Sequence, residues 1–456
     1  MTVCFNRKML VPFALGAVLP AWGECQSEAE NRKSFIVPAV EIIGFDALLN
    51  VFDRLVFGAA YRSNLSSIRR NLRRSWVEER DPFEINQFGH PYQGSVYHGF
   101  ARSSGLSYWE SFVYTFAGSA LWEIAGETTS PSRNDQIASG IAGTFFGESL
   151  FRIGSLILEN ADGEPGPRRR WSAALVAPWS AFNRKVFGRR FDEVYSSNGA
   201  AYYRRMQLGV ASATRNLPGA ATKLRPNEGV LDIGMEYGLP GPAEYTYARP
   251  FDYFALQTTL STANGFESIL SRGLLVGTRH DVGDRYRGVW GLFGSYDYIA
   301  PQIFRVSSTA LSIGSTSQWS PSRNVALQST GLAGFGYAAV GTAHAAGEGE
   351  YHYGIAPQAL LAGRLILGDR VSLDVTGREF FVSNIPERVP DGHDNIARLD
   401  ASLTVRLYRQ RALTLKYLWT RRDARFADVN RTQARATLGM FYTMLGSDRF
   451  GAVDWR

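Results

Sequence analysis

Cysteine is almost missing from this chain of 456 residues, which has two. Cys4 lies in what reads as an export leader, so Cys25 would be the one cysteine of a mature protein. An internal disulfide framework and a cysteine-built zinc site are therefore excluded. Histidine is sparse as well, six in all, and neither a metal site nor a cofactor is expected. No HExxH, CxxC pair, GxSxG elbow or Walker loop occurs, which removes the standard metalloprotease, redox, hydrolase and nucleotide-binding readings. Long uncharged apolar runs are also lacking. The stretch from Tyr108 to Ala125 is apolar but is interrupted by Glu110 and Glu123, so a free-standing membrane helix is not expected there.

Aromatics and glycine are plentiful: 21 Tyr, 28 Phe, 10 Trp and 46 Gly. Membrane β-barrels carry aromatic girdles at both interfaces and glycine at bends. The net charge is +7. Its two densest basic runs, Arg69 to Arg74 and Arg168 to Arg170, are not interleaved with stacking aromatics. Nucleic acid is thus not an expected partner, and lipid phosphates or a solvated periplasmic face suit these runs better.

The first 23 residues read as a signal peptide. Arg7 and Lys8 form a positive start, Met9 to Ala21 an apolar stretch, and Ala21-Trp22-Gly23 a cleavage site with small residues at its key positions. The apolar stretch is too short for a comfortable membrane anchor. Glu24 before Cys25 argues against a lipoprotein signal.

Two periods follow. Over 34–190 the apolar residues recur at helical spacing. One helix is expected from Pro38 to about Arg74 (Val40, Ile43, Leu48, Val51, Leu55) and three more between Tyr92 and Leu158. Breaks fall at Gly105 and at Thr128 to Ser132, with Pro131 just before a helix cap. Gly140, Gly143 and Gly147 mark a face for close helix approach. A linker spans Asn160 to Pro167.

From residue 201 onward the period is two. In the run from Ile396 to Tyr408, Leu399, Ala401, Leu403, Val405 and Leu407 oppose Arg398, Asp400, Ser402, Thr404 and Arg406. About twelve such runs can be counted, from 202–213 to 431–444. Tight turns at Ser320-Pro321-Ser322, Gly368-Asp369 and Arg409-Gln410 alternate with longer polar loops near 215–228, 341–349, 383–393 and 422–430. The connection at 239–250 departs from this sorting. The chain ends on Asp454-Trp455-Arg456 and not on an aromatic, which either departs from standard assembly recognition or means that the last strand ends before Gly446. The expected fold is an N-terminal all-α domain (34–190) and a transmembrane antiparallel β-barrel of about twelve strands (201–456), since strands can span lipid only when the sheet is closed.

The densest polar motifs lie in the helical part: Asn86-Gln87-Phe88-Gly89-His90-Pro91-Tyr92-Gln93-Gly94-Ser95, Ala101-Arg102-Ser103-Ser104-Gly105-Leu106-Ser107-Tyr108-Trp109-Glu110-Ser111, and Pro131-Ser132-Arg133-Asn134-Asp135. Together with Phe182-Asn183-Arg184 they resemble the signature of a bacterial family of exported outer-membrane proteins, a domain-of-unknown-function group, over roughly residues 75 to 185. The resemblance implies an outer-membrane setting and brings no activity, so no catalytic role is carried over.

The residues themselves offer His90, Tyr92, Ser95, Glu110, Glu123, Asp135 and Glu148 as acid/base candidates. Glu110, Glu123 and Glu148 on apolar helices need partners, because a buried unpaired charge is costly. Arg102, His90, Tyr92 or lumen arginines are candidates for that role. A packing network is the favoured reading of this patch. Asp232, Glu236, Asp374, Arg378, Arg398, Asp400, Arg406, Lys416 and Arg435 are expected to line the lumen. Their mixed signs suit a salt-bridged interior better than a selective pore.

The expected function is a non-enzymatic transport, envelope-structural or binding role, with the helical domain plugging the lumen or capping its periplasmic end. Alternatives are an enzyme acting on lipid or lipopolysaccharide around His90, and a passive pore. Outer-membrane lipids, lipopolysaccharide and the barrel-assembly machinery are the expected partners, and the expected location is the outer membrane.

Overall fold

The computed structural model describes residues 33–455 apart from 57, 80, 160–164, 218–223, 342–350 and 384–390. The expected leader, Cys25 and most of the expected linker at 160–167 lie outside the described residues.

The first helical stretch is two helices and not the single one expected. Helix α1 runs from Ile36 to Val56. Gly58, at φ +87°, turns the chain. Asn64 then restarts it as α2 (Leu65–Asn71), its side chain accepting from the Ser66 and Ser67 amides. A capping side chain of this kind satisfies amide donors that a new helix leaves open. Helix α3 (His90–Ser103) stops just ahead of Gly105, at φ +83°. Ser107 and Glu110 form a capping box at the start of α4 (Tyr108–Leu121). Ser132 caps α5 (Arg133–Ile137), and α6 covers Gly143–Leu158. Helices α7 (Pro167–Val176) and α8 (Pro178–Phe187) each open on proline, where its missing N–H costs nothing. Single π-helical turns precede α3 (Ile85–Gly89), follow α4 (Trp122–Gly126) and join α5 to α6 (Ala138–Ala142).

Helices α3 and α6 meet backbone to backbone. A Cβ at Gly94 would lie 1.9 Å from the Ser139 carbonyl oxygen, and one at Gly143 would lie 2.6 Å from the Gly94 Cα. The approach requires glycine at both positions.

The remainder is a closed antiparallel barrel of twelve strands, each paired with the next and β1 with β12. The strands are β1 (Tyr202–Leu217), β2 (Asn227–Tyr237), β3 (Phe254–Ser261), β4 (Gly265–Val282), β5 (Tyr286–Ile299), β6 (Val306–Ser322), β7 (Val325–Gly341), β8 (Tyr351–Leu367), β9 (Val371–Ser383), β10 (Gly392–Tyr408), β11 (Arg411–Phe426) and β12 (Asn430–Leu445). The last strand ends before Gly446, and the alternation that suggested twelve strands is realised as a barrel. β1 starts at what we term the turn end, where β6–β7, β8–β9 and β10–β11 are joined tightly. The opposite, loop end carries the connections over 218–226, 300–305, 342–350 and 384–391.

Side chains alternate across the wall. Leu403 is exposed on the outside, while Thr404 is buried and its hydroxyl lies 3.0 Å from that of Thr414. Exposed apolar residues such as Val210, Ile313, Leu361, Leu403 and Met440 form the outer belt. Closure with an apolar exterior is the outer-membrane type of barrel, because it leaves no backbone edge unpaired in lipid.

The helices do not enter the lumen, nor do they sit beneath it. Asp297 reaches Arg378 of β9 through the interior, 2.8 Å away, so Tyr296 and Tyr298 beside it point outward. Those two tyrosines are the ones that meet the helices: Tyr296 donates to the Gln87 carbonyl (2.6 Å), and Tyr298 packs on Phe83. Ser271, Tyr351 and Tyr353 alternate in the same way with the inward-facing Arg272 and His352. Ser149 is 3.0 Å from Ser271, and Asn86 and Gln87 donate to Tyr351 and Tyr353 at 2.7 and 2.9 Å. The expected plug or periplasmic cap is instead a bundle flanking the barrel wall. The physical reason is that the lumen is already full of its own side chains, while β2–β5 present an outer face of Tyr237, Phe254, Leu256, Ile269 and Leu275 that the helices bury.

An arginine at Leu403 should cost about 2–4 kcal/mol at mid-depth of a bilayer. We therefore expect Leu403→Arg to abolish the heat-shifted band of the folded barrel on SDS gels and Thr404→Ser to leave it intact. Equal mobility of the two variants would show the register to be wrong.

Candidate functional site

Two polar constellations lie inside the bundle, between helices that are otherwise apolar. The first is centred on Glu148 of α6, which is fully buried. It accepts from Arg102 Nε at 2.7 Å, from His98 Nε2 at 3.0 Å, and from Arg152 Nε, one helical turn on, at 2.8 Å. Arg152 also donates to Asp252 (2.9 Å) and to the Pro250 carbonyl (2.6 Å), both in the connection from β2 to β3. Arg102 donates to the Leu106 carbonyl at 2.6 Å. The Tyr195 ring stacks under Arg102, Arg152 and Arg249, with centroids 4.6 to 5.0 Å away. Each charge here is compensated, which is the condition under which buried ions are tolerated. The arrangement ties α3, α6 and the barrel together.

The second constellation lies toward the loop end, where the three π-helical turns converge. Such turns recur at functional sites because they displace side chains from regular helix positions. His90 follows the first turn, Glu123 lies within the second and Ser139 within the third. His90 Nδ1 is 3.2 Å from Ser139 Oγ, and its Nε2 is 3.8 Å from an Asp135 oxygen. Asp135 accepts from the Asn134 amide at 2.8 Å, and Asn134 also donates to Tyr353 of the barrel. Glu123 accepts from the Ser132 amide at 2.8 Å, and Glu127 from Trp122 Nε1 at 2.8 Å and Thr129 at 2.9 Å. Glu79, Glu123 and Glu127 each bring one carboxylate oxygen within 4.8 Å of the others. An all-oxygen set of this kind is what a hard divalent cation takes, and it is the group of described residues that could hold a metal. Burial, and then the neighbouring carboxylates of Glu127, Asp135 and Asp81, push Glu79 up to about 9.

Chemically, hydroxyl, imidazole and carboxylate stand in line in Ser139–His90–Asp135, but all three are buried. At 3.8 Å the His90–Asp135 contact is beyond hydrogen-bond length.

The residues singled out in the sequence are therefore divided. His90, Glu123 and Asp135 come together, while Glu148 belongs to the other constellation. Tyr92 is exposed. Ser95 spends its hydroxyl on the Tyr92 carbonyl at 2.6 Å. Glu110 is half-buried and not enclosed as expected: it pairs with Lys33 at 2.6 Å and caps α4. Serving as a cap places it at the first turn of the helix, near solvent. Ser139, Glu79, Glu127, His98, Arg152 and Asp252 were not singled out. The spacing of Glu148 and Arg152, four apart, was the one available signal.

On the lumen side, Asp232, Glu236, Asp374, Arg378, Asp400, Lys416 and Arg435 lie in cross-lumen or neighbouring ion pairs. Lys416 bridges Asp232 (3.3 Å) and Asp400 (2.9 Å), Arg364 bridges Glu236 (2.9 Å) and Asp374 (2.5 Å), and Arg435 meets Glu228 (3.1 Å). Arg398 lines the same interior. Arg406 sits at the turn-end rim beside Asp369 and Asp448.

Residues 75–179 match the profile of a domain of unknown function, DUF3943. The match covers that segment alone. It takes in the helical members of both polar constellations but neither α1 nor the barrel. No curated protein matches the chain. Solved structures of similar fold include the NanC porin (5% identity, 52% of this chain and 98% of that one, TM-score 0.28). An outer-membrane channel from Pseudomonas putida F1 is another (11%, 54% and 95%, 0.30). A third is the translocator domain of the autotransporter NalP from Neisseria meningitidis (14%, 59% and 97%, 0.22). At such TM-scores none of them bears on what this chain does.

Two outcomes follow for the DUF3943 segment. Glu148→Ala leaves two buried arginines short of a partner and should destabilise the bundle by about 3–5 kcal/mol, read as a lower melting temperature of the helical circular-dichroism signal. A Glu79 carboxyl raised from 4.5 to about 9 is neutral in the folded chain over a range where the unfolded chain is ionised. Its contribution to stability is therefore greatest below pH 4.5 and is lost as pH rises to 9. The protection factor of the Val77 amide, which donates to Pro131 at 2.8 Å, should fall over that window, and Glu79→Gln should flatten the fall.

Proposed function

We propose that the chain is a closed, non-conducting outer-membrane barrel with an envelope-structural or binding role. The observation that carries this reading is the sealing of the lumen. At the turn end the segment after β12 folds back into the mouth. Gln318 donates to the Val453 carbonyl and Gln328 to the Gly451 carbonyl, both at 2.7 Å, and Phe450 is fully buried against Leu239 and Tyr203. At the loop end Ile303 and Phe304 of the 300–305 connection pack onto Leu270, Phe380 and Ile396. Between these covers lies the ion-pair network, and the space it leaves is broken into cavities of about 90, 40 and 20 Å³. That is room for a few waters, not for a solute path.

The buried state of Ser139, His90 and Asp135 supports a structural role for the polar bundle over an acid/base reaction on lipid. The short connections at the turn end support placing that end on the periplasmic side, as bacterial barrels do. Outer-membrane lipid, lipopolysaccharide included, and the barrel-assembly machinery are the proposed partners.

Planar-bilayer recording of the full chain should show no steady open state. The double variant Gln318→Ala/Gln328→Ala, which leaves every strand whole, should produce open events by releasing the segment after β12. A stable conductance in the unaltered protein would overturn the closed-barrel reading in favour of a pore.

A further inference from the structure

Two helices of the bundle turn polar residues inward and apolar faces outward. On α1 the buried positions include Asp46, Asn50 and Asp53, while Val40, Ile43, Leu48, Val51 and Leu55 are exposed. On α4 the buried positions include Ser111, Thr115 and Ser119, and those exposed are Trp109, Val113, Phe116, Ala117 and Leu121. A helix on the surface of a water-soluble domain shows the reverse polarity, with its apolar stripe turned to the core.

Four further observations name what covers this face. First, length: α1 has 21 residues, about 31 Å at the helical rise, and a bilayer's hydrocarbon is about 30 Å thick. The helical runs Ile85–Ser103 and Tyr108–Gly126 are each about 28 Å long. Arg133–Leu158, with 26 residues, is apolar and long enough to cross a membrane and forms the bundle's mostly buried centre.

Second, height: the bundle touches the barrel from Tyr351 and Tyr353 at the loop end to Asp252 at the turn end, so it stands alongside the whole wall. Third, continuity: the bundle hides the outer face of β3 and of the neighbouring halves of β4 and β5. There the barrel's own apolar belt is interrupted, and the exposed faces of α1 and α4 continue it. Fourth, charge: no exposed charged residue occurs on α1 before Arg54 or along α4. The exposed arginines gather at the two ends instead, Arg69, Arg70, Arg73 and Arg74 at one and Arg168, Arg169 and Arg170 at the other. Cationic side chains at helix ends reach lipid head groups.

We propose that α1, α3, α4 and α5–α6 cross the outer membrane as a four-helix bundle beside the barrel, with α1 and α4 facing lipid acyl chains. The inference rests on the outer-membrane placement of the barrel. It accounts for the acidic and polar interior, since ionisable groups within a membrane turn inward to partners. It also accounts for the topology: α1 and α4 run toward the loop end, α3 and α5–α6 run back, and the even number of passes returns the chain to the turn end, where β1 begins.

The test uses the full chain, with Cys4 and Cys25 replaced by serine, in vesicles of phosphatidylethanolamine and phosphatidylglycerol. Nitroxides are placed in turn at Leu48, Val113 and Arg62. At Leu48 and Val113 collisions with a water-soluble nickel chelate should be lost and those with oxygen retained, while Arg62 keeps the chelate collisions. Leu48→Arg should lower the yield of inserted protein, whereas at a water-facing site it would be neutral. Equal chelate access at all three positions, in a sample whose heat-shifted band shows an inserted barrel, would overturn the inference. A sample without that band would instead sink the outer-membrane placement beneath it.

Discussion

Glu148 sits where the two halves of the molecule are joined. Its carboxylate gathers Arg102 from α3 and Arg152 from its own helix, and Arg152 goes on to Asp252 and Pro250 beside β3. A carboxylate with three donors in a dry interior is held by geometry, because losing any one contact leaves a charge that water cannot reach. Much else must conform. Gly94, Gly143 and Gly147 let α3 and α6 approach closely enough for Arg102 and Glu148 to meet. Phe251, at φ +64°, accepts an unfavourable backbone conformation that stacks its ring between Tyr108 and Phe145 next to the knot. Strain of this kind, about 1–3 kcal/mol, persists where the surroundings fix it.

How much of this was legible in the sequence follows from which interactions are local. Strand alternation is a property of neighbouring residues, so Leu403 against Thr404 could be read directly, and with it the barrel, its twelve strands and the end of β12. Caps are also local: Ser132 after Pro131 and the break at Gly105 appear in the chain as they do in the fold. The side of the wall on which the helices lie is not local. It depends on Tyr296, Tyr298, Tyr351 and Tyr353, residues far from the helices in sequence, presenting an aromatic outer surface at one edge of the barrel.

The same limit governs the polar site. His90 and Glu123 stood out because polar residues on apolar helices are conspicuous, but their grouping depends on three π-helical turns that no spacing rule signals. Ser139 was hidden as one small residue among Ala138, Gly140 and Ala142. Glu127 and Glu79 sit in connections, where a carboxylate attracts no notice. Glu110, conspicuous for the same reason as Glu123, proved to be a cap. The apolar periodicity of α1 marks it as helical, but periodicity alone does not say whether the apolar face turns to a core or to lipid.

The direction of that face links the bundle to the barrel. In water the apolar face of a helix seeks the core, and a polar network inside the bundle would be a burden. Against lipid the preference reverses, because hydrocarbon gives apolar faces nothing to gain by association and polar groups everything to gain by pairing. The Glu148 knot and the His90–Ser139 contact then become what draws the helices together, with the glycine seam supplying close packing. The barrel wall completes them, since Tyr351 and Tyr353 accept from Asn86, Gln87 and Asn134. On this account the helices are held to the barrel by hydrogen bonds and ion pairs that neither half could satisfy alone. The DUF3943 segment contributes its donors and carboxylates, and the barrel contributes the tyrosines and Asp252 that close the set.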